Sequence, residues 1–168
     1  MDRIVSRSKG FTLIELLIVV AIIGILATLL MTNFIGVRQR ARDAQRKSDL
    51  RQIQSALELY RADNGSYPST GGGSYTLPNS VISGDGTCPD AGTFTYSNTT
   101  YMKKIPCESL GTSYYNSGNY YYSSDGTNYT LAACLENTSD GDTNDTSTAP
   151  TGSSGCPNGY KYFVLQNP

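Results

Sequence analysis

One carboxylate, Glu15, lies inside an apolar run near the amino terminus, KGFTLIELLIVVAIIGILATLLM. A charge deep in hydrocarbon costs about 2.5 to 3.5 kcal/mol on insertion scales, so an acid at this position calls for a positive partner. Charge pairing is therefore the first chemistry that the sequence indicates. The alternative is that Glu15 lies near a membrane interface and reaches water on its own.

Four cysteines form the second reactive set, and all lie in a part of the chain rich in Gly, Ser, Thr and Asn: Cys88, Cys107, Cys134 and Cys156. An even number in this context indicates disulfides made in an oxidising compartment. Three pairings are allowed. We favour Cys88 with Cys107 and Cys134 with Cys156, because each closes a loop of about 20 residues, worth about 3 kcal/mol in the chain-entropy model. The chain has no histidine and no C-x-x-C motif, so a catalytic or metal-binding thiol is not expected.

The stretch SDGDTND places Asp140, Asp142 and Asn144 at the first, third and fifth positions of a calcium loop. The pattern then fails, because Asp145 stands where glycine is required and Thr151 where a glutamate is required. We therefore predict a solvated loop without a metal, and calcium binding stays the open alternative. No cofactor and no enzymatic activity are expected, since the sequence shows neither a nucleophile with its base nor a Gly-rich phosphate loop after a strand.

The element that must position Glu15 is the segment 11–37, which contains no other charge. As a helix it is about 40 Å long, which exceeds the roughly 30 Å of hydrocarbon in a bilayer. The basic leader that precedes it, residues 1–10, is followed by no A-x-A-like cleavage site of an ordinary secretory signal. Lys and Arg on both flanks leave the orientation of this segment in a membrane ambiguous. The cysteines favour a location outside the cytoplasm for the part of the chain that follows it, the head.

An amphipathic helix is predicted to follow over residues 38–64, and we call it the stem. One apolar stripe at helical spacing marks its buried face: Leu50, Ile53, Leu57 and Tyr60. Asn64 with Gly65 indicates the helix end, and Pro68 prevents its resumption. Helix is therefore predicted almost without interruption from about Phe11 to Asn64.

Charge divides unevenly between the two parts of the chain. Residues 1–64 hold ten Lys or Arg against six Asp or Glu, whereas residues 65–168 hold three against eight. An acidic head lacks the clustered bases that phosphate contacts need, so no specific nucleic-acid ligand is expected. We interpret the Arg-rich part, residues 38–51, as a solvated face or as a contact with other subunits or lipid headgroups.

The head, residues 65–168, has twelve tyrosines but only eleven Leu, Ile, Val and Phe, so disulfides and tyrosines must compensate for a thin core. Strand patterns occur in NYYYSS, in NYTLAACLEN after a turn at Asp125 and Gly126, and in YKYFVLQ. We predict an α+β fold in which a small antiparallel sheet of three or four strands packs on the stem stripe. A tyrosine cluster is expected to fill the core and not to stack on a ligand: Tyr114, Tyr115, Tyr120, Tyr121 and Tyr122.

The run KGFTLIELLIVVAIIGILA resembles the class III signal of the type IV pilin and type II secretion pseudopilin superfamily, and the similarity extends to RADNGSYP. The resemblance implies that a prepilin peptidase cuts between Gly10 and Phe11, that Phe11 is then N-methylated, and that Glu15 acts in filament assembly. The new amine on Phe11 of one subunit would lie beside Glu15 of a neighbour. Opposite charges about 4 Å apart gain about 4 kcal/mol at an effective dielectric near 20, which offsets the burial of the acid.

The resemblance further implies a structural subunit with a leader (1–10), a filament-core helix (11–37), a stem (38–64) and a head (65–168). Such a subunit is held in the cytoplasmic membrane by a single span. An assembly platform protein and an ATPase motor then build it, with other copies of itself, into a filament at or outside the cell surface. The loop closed by Cys134 and Cys156 resembles that of pilins and favours a pilus. The alternatives are a pseudopilin of a type II secretion or DNA-uptake system, and a membrane-tethered binding protein that does not polymerise. A membrane-bound redox enzyme that uses the cysteines is disfavoured.

Overall fold

The computed structural model describes residues 10–71, 77, 82–83, 88, 92–111, 118–139, 141–142, 145–146, 150, 155–157 and 160–167, except for the side chains of 30–35, 82–83 and 145–146. The chain divides into two compact units, Met1–Arg38 and Gln39–Pro168. Residues 13–38 of the first unit are helical, and the second unit contains the rest of that helix and every strand that the structure describes.

One α-helix, α1, runs from Leu13 to Asn64, close to the predicted bounds. It ends as the Asn-Gly pair indicates. The Gly65 N–H donates to the carbonyl of Arg61 at 2.7 Å, and Gly65 has a φ of +78°, which favours glycine. The Asn64 side chain also donates to the carbonyl of Tyr60 at 2.8 Å. The last turn therefore has partners for two of its carbonyl groups.

In the first unit, the helix is apolar on all sides. Its large apolar side chains from Phe11 to Leu29, and Val37, are between 48 and 88% exposed. A helix that is hydrophobic all round ordinarily has apolar surroundings. Residues 11–37 are predicted to span a membrane; among the residues that the structure describes, no helix combines the length and mean hydropathy that a span requires.

The described residues of the second unit form two antiparallel sheets. The first has three strands in the order β1-β2-β3: β1 (Ile82–Ser83), β2 (Thr93–Tyr96) and β3 (Thr99–Met102). The second has four strands in the order β4-β5-β7-β6: β4 (Tyr121–Ser124), β5 (Tyr129–Leu135), β6 (Asp145–Thr146) and β7 (Lys161–Gln166). The three predicted strand segments all belong to the second sheet. The first sheet was not predicted, because its short strands are mostly polar.

The hairpin between β4 and β5 turns where the sequence indicates. One carboxylate oxygen of Asp125 accepts hydrogen bonds from the backbone N–H groups of Thr127, at 2.8 Å, and Asn128, at 2.6 Å. Gly126 has a φ of +94°, a conformation that costs glycine little. The turn pairs Ser124 with Tyr129 and so sets the register of the sheet.

The main core lies between the stem and the sheets. All four residues of the predicted stripe are buried, at 0 to 7% exposed: Leu50, Ile53, Leu57 and Tyr60. Tyr60 meets Phe94 and Tyr101 with ring centroids 5.5 and 5.3 Å apart. Of the predicted tyrosine cluster, Tyr120, Tyr121 and Tyr122 are buried as expected, and Tyr114 and Tyr115 lie outside the described residues. Tyrosines thus supply much of the core that the few aliphatic residues leave unfilled.

Strand β5 is buried on both of its faces. On the main-core face, Tyr129, Leu131 and Leu135 contribute to the cluster around the stem. On the opposite face, Cys134 packs in a second cluster with three buried residues and with Cys156: Tyr121, Ala132 and Tyr162. The loop closed by this disulfide therefore gives the sheet a small second core.

Candidate functional site

A capping box closes the start of α1. The Thr12 backbone N–H and hydroxyl both donate to Oε2 of Glu15, at 2.9 and 2.6 Å, and the Glu15 backbone N–H donates to the Thr12 hydroxyl at 3.3 Å. Thr12 is the residue before the helix and Glu15 is its third residue, so the two side chains satisfy reciprocal backbone groups. The carboxylate also lies at the helix end where the dipole favours negative charge.

The capping box changes the interpretation of Glu15. In the single chain, the Glu15 carboxylate already has a hydrogen-bond partner, Thr12, which is a polar neighbour and not the expected cation. Both hydrogen bonds end on Oε2, so among the described residues Oε1 accepts none. The signal that identifies this arrangement is the T-x-x-E motif in FTLIE, where Thr12 precedes Glu15 by three residues. Pairing with the Phe11 amine of a neighbouring subunit stays a prediction.

The predicted cleavage bond lies just before the helix. Gly10 and Phe11 precede α1, Phe11 is 84% exposed, and a Cβ atom at Gly10 would meet no heavy atom within 4 Å. Among the described residues nothing covers this bond. The rest of the predicted leader, residues 1–9, lies outside the described part of the chain.

Both disulfides join the cysteines that loop length favoured, Cys88 with Cys107 and Cys134 with Cys156, and none of the four cysteines is free. Two of these cysteines lie next to carboxylates that contact the stem. Glu108 directly follows Cys107, and Glu136 lies two residues after Cys134. The cross-links therefore restrict the segments that carry these two acids.

A buried arginine on the stem binds three carboxylates. Arg46 is 0% exposed, and its guanidinium forms a two-pronged contact with Glu108: Nε to Oε2 at 2.8 Å and Nη2 to Oε1 at 2.7 Å. Its Nη1 lies 2.6 Å from Oδ1 of Asp43 and 2.9 Å from Oε1 of Glu136. Arg42 shares Glu136 through a hydrogen bond from Nε at 2.7 Å. Buried charges persist only when they are paired in this way, and we call these five residues the charge cluster.

Asp43 also binds the backbone of the head. Its Oδ1 accepts a hydrogen bond from the N–H of Glu136 at 3.0 Å, and its Oδ2 accepts one from the N–H of Asn137 at 2.8 Å. These donors follow the end of β5, where the sheet no longer supplies acceptors. A stem carboxylate thus replaces the missing strand partner, which fixes the sheet end against the stem.

Two carboxyl groups at the contact between stem and head, Asp49 on the stem and Glu136 of the charge cluster, have shifted pKa values. Burial raises the pKa of Asp49, although hydrogen bonds from Tyr120 at 2.7 Å and Gln45 at 2.6 Å oppose the shift. The hydrogen bond from Arg42 lowers the pKa of Glu136, and Arg46 adds to this effect. Burial, with the adjacent Asp49 carboxyl, raises the pKa of the Tyr120 hydroxyl.

The calcium alternative gains no support from the described residues. Asp140 and Asn144 lie outside them, whereas Asp142 contacts the stem, with its Oδ2 3.2 Å from Nζ of Lys47. Within the described part of the chain, no group of three or more Cys, Asp or Glu is arranged to hold a metal.

We expect Thr12→Val to loosen the first turn of α1, because it removes the hydroxyl that caps the Glu15 N–H. A lost cap of this kind costs about 1 kcal/mol, so hydrogen exchange of the Glu15 amide should be about fivefold faster. Thr28→Val is the matched control, since the Thr28 hydroxyl donates at 2.8 Å to the carbonyl of Ile25 within the helix and caps no N–H group. Equal exchange rates in the two variants would contradict the capping role.

We expect Arg46→Met to destabilise the second unit by about 3 to 5 kcal/mol, because three buried carboxylates lose their shared cation. Urea unfolding in detergent micelles, followed by the circular dichroism of the tyrosines, measures this change. Arg40→Met removes an exposed arginine of the same helix and should change stability by no more than about 0.5 kcal/mol. Similar midpoints for the two variants would show that the charge cluster is not a major source of stability.

The shifted carboxyls predict opposite dependences on pH. The folded state holds the proton of Asp49 more tightly than the unfolded chain does, so the parent should lose stability relative to Asp49→Asn as the pH rises above about 4. Glu136 has the lowered pKa, so the parent should lose stability relative to Glu136→Gln as the pH falls below about 4. Each slope is at most about 1.4 kcal/mol per pH unit. Urea unfolding from pH 3 to 7 tests both, and slopes of the same sign would refute the assignment.

Comparison with known proteins gives matches along most of the chain. The profile of the prokaryotic N-terminal methylation motif matches residues 5–31, and the profile of type II secretion system (T2SS) protein G matches residues 33–149. The first match contains Gly10, Phe11 and Glu15. The second contains the stem, the charge cluster and most of the head.

Curated relatives agree with these profiles. The chain is 32% identical over 112 residues to the type II secretion system core protein G of Escherichia coli (strain K12), a match that covers 67% of this chain and 73% of that protein. It is 33% identical over 108 residues to the protein of the same description from Aeromonas hydrophila, with 64% and 71% covered. The corresponding protein of Vibrio cholerae serotype O1 is 32% identical over 108 residues, with 64% and 69% covered. No solved structure gives a significant match.

Proposed function

Because the chain belongs to the type II secretion system protein G family, we propose that it is a pseudopilin, a structural subunit cut after Gly10 and polymerised through its amino-terminal helix. The observation that carries this proposal is the exposed apolar part of α1, residues 13–37, whose one carboxylate, Glu15, lies in the first turn and is the fifth residue after the cut. Such a helix supplies a surface for assembly and a charge that can set its register.

The exposed apolar surface supports polymerisation. The large side chains between Phe11 and Val37 that the structure describes are all at least 48% exposed, on every side of the helix. Soluble monomers rarely expose continuous apolar patches of more than a few hundred Å². This helix therefore requires an apolar cover: lipid before assembly, and the corresponding helices of other copies in the filament.

The proposed path begins in the cytoplasmic membrane, with residues 11–37 as a single span and the head outside the cytoplasm. Prepilin peptidase removes the leader, and an assembly platform protein with its ATPase motor moves the subunit into a filament of identical copies. The family favours a pseudopilus of the secretion system over the surface pilus that the disulfide loop suggested. Both disulfides agree with a head that folds outside the reducing cytoplasm.

Glu15 is proposed to form an ion pair with the amino terminus of a neighbouring subunit. Cleavage leaves a positive amine on Phe11, and Oε1 of Glu15 can accept it while Oε2 keeps its bonds to Thr12. At about 4 Å and an effective dielectric near 20, the pair gains about 4 kcal/mol. A subunit out of register leaves both charges buried without partners, so the pair also selects the correct alignment.

The charge cluster has a complementary role in this proposal. A filament of one repeating subunit requires every head to be held on its own stem in the same way. Arg46 and Asp43 on the stem bind Glu108, Glu136 and the backbone after β5, which fixes that geometry by charge as well as by packing. Each head therefore has the same position on its own stem in every subunit.

The test measures both the processed amino terminus and the yield of filaments. In cells that express the peptidase and the assembly machinery, we expect mass spectrometry to find an N-methylated Phe11 as the first residue. Glu15→Gln should be cut normally but should polymerise poorly, since losing about 4 kcal/mol weakens the contact on the order of 10³-fold. Sheared filaments are measured by immunoblot.

Asp63→Asn is the control, because it removes one exposed negative charge at the other end of the same helix. It should polymerise like the parent. An intact Met1 in these cells would favour a tethered binding protein over a filament subunit. Glu15→Gln filaments as abundant as those of the parent would refute the proposed charge pair.

A further inference from the structure

Two carboxylates of the head reach Arg46 from segments that are held in different ways. Glu136 directly follows β5, whose last residue, Leu135, is paired with Lys161 of β7. The backbone N–H of Glu136 also donates to Asp43 of the stem at 3.0 Å. Backbone hydrogen bonds of the sheet and the stem thus hold Glu136 in place.

Glu108 lies in a segment with less support, since residues 103–111 belong to no helix or strand. Among the described residues, two backbone hydrogen bonds connect this segment to the rest of the head. The N–H of Ile105 donates to the carbonyl of Gly92 at 2.9 Å, and the N–H of Glu108 donates to the carbonyl of Gly118 at 2.8 Å. Segments with few backbone hydrogen bonds open locally at a small cost in free energy.

The disulfide between Cys88 and Cys107 adds a covalent support beside Glu108. Cys107 directly precedes Glu108 and packs, partly buried, against the main core. Its partner Cys88 is 7% exposed and belongs to that core. The bond therefore orders the backbone next to Glu108 before the carboxylate meets Arg46, which lowers the entropy cost of the contact.

The contact itself requires an accurate position. Both oxygens of Glu108 accept hydrogen bonds from Arg46, at 2.7 and 2.8 Å. Oε1 also accepts from the Ser109 hydroxyl and from the Leu110 N–H, each at 3.2 Å. A shift of the segment by about 1 Å would lengthen the bonds to Arg46 beyond the hydrogen-bond range.

We propose that the Cys88–Cys107 disulfide is a redox-dependent positioning bond for Glu108: the carboxylate is held on Arg46 in the oxidised head and released in the reduced head. Asp43 and Glu136 remain beside Arg46 in both states. Oxidation breaks two S–H bonds and forms one S–S bond. The two protons and two electrons pass to a thiol oxidant that carries a disulfide, which becomes a dithiol.

This inference rests on the proposed function, in which the head folds outside the reducing cytoplasm. There, oxidation completes the attachment of the head to its stem, so that filaments receive subunits of one geometry. The second disulfide has a different role. Cys134 is 0% exposed, and with Cys156 it belongs to the small core on the opposite face of β5.

The experiment follows two arginine side chains in one molecule. The Nε–H of Arg46 donates to Glu108, whereas the Nε–H of Arg42 donates to Glu136 at 2.7 Å. In the full chain, labelled with ¹⁵N and held in detergent micelles, NMR measures the exchange of each Nε–H with solvent. The two exchange rates therefore report separately on the two carboxylates of the head.

In Cys88→Ala/Cys107→Ala, we expect the Arg46 Nε–H to exchange at least about tenfold faster than in the parent, because Glu108 is released. The Arg42 Nε–H should keep its rate within about twofold. Glu108→Ala with the disulfide intact gives the reference rate for Arg46 without this carboxylate.

Cys134→Ala/Cys156→Ala is the matched control, because the two disulfides have similar sequence separations, 19 and 22. It should leave the exchange of the Arg46 Nε–H within about twofold of the parent. Unchanged Arg46 exchange in the variant without Cys88 and Cys107 would overturn the inference. Equal acceleration at Arg42 and Arg46 would do the same, since the bond would then hold the whole head.

A double-mutant cycle provides a second measurement. If the disulfide only restricts the unfolded chain, its loss and Glu108→Gln should have additive effects on urea unfolding. If it positions Glu108, the effect of Glu108→Gln on the unfolding equilibrium constant should be at least about fivefold smaller in Cys88→Ala/Cys107→Ala than in the parent. Additive effects would contradict the positioning role.

Filament yield separates this inference from the proposed function. In cells with the assembly machinery, Cys88→Ala/Cys107→Ala should be cut after Gly10 like the parent but should give fewer filaments. If the parent itself is not cut, the proposed function fails and the exchange rates still decide the role of the disulfide. Filaments of the variant as abundant as those of the parent would show that assembly does not depend on this bond, which would overturn its role in assembly.

Discussion

Neutralisation of a buried guanidinium is the interaction on which the second unit depends. Arg46 lies fully inside, and its charge is tolerated because Asp43, Glu108 and Glu136 surround it. The acids of the head come from segments that the disulfides restrict, so cross-links and charges act on the same parts of the chain. Apolar packing around Leu57 supplies the attraction, and the charge cluster sets where the head sits on the stem.

The requirement that a buried charge has a partner also applies at the start of α1. In the single chain the capping box with Thr12 holds the Glu15 carboxylate, and in the proposed function this acid becomes buried only when subunits assemble. Oε2 stabilises the helix start, and in the proposed function Oε1 accepts the amine of a second subunit. Membership of the protein G family is the basis of that proposal.

Features that depend on short stretches of chain were predictable from sequence. The stripe through Leu50 and Leu57, the Asn64 stop and three strands of the second sheet, β4, β5 and β7, each follow from spacing within about ten residues. Strand β6 was not predicted. The charge cluster was not predictable, because Glu108 and Glu136 lie 62 and 94 residues from their arginines and nothing local marks them as partners. The capping box was not predicted for a different reason: T-x-x-E is present, but an acid in an apolar run also fits pairing with a cation from elsewhere.

The contacts of Arg46 also constrain how this chain can change over generations. Losing the arginine alone leaves three acids in a dry interior, and losing one acid removes a hydrogen-bond partner of the buried guanidinium, so each single substitution is unfavourable by itself. Positions 43, 46, 108 and 136 should therefore be substituted together during evolution of the chain. A lineage with an apolar residue at position 46 should have apolar or neutral residues at the other three.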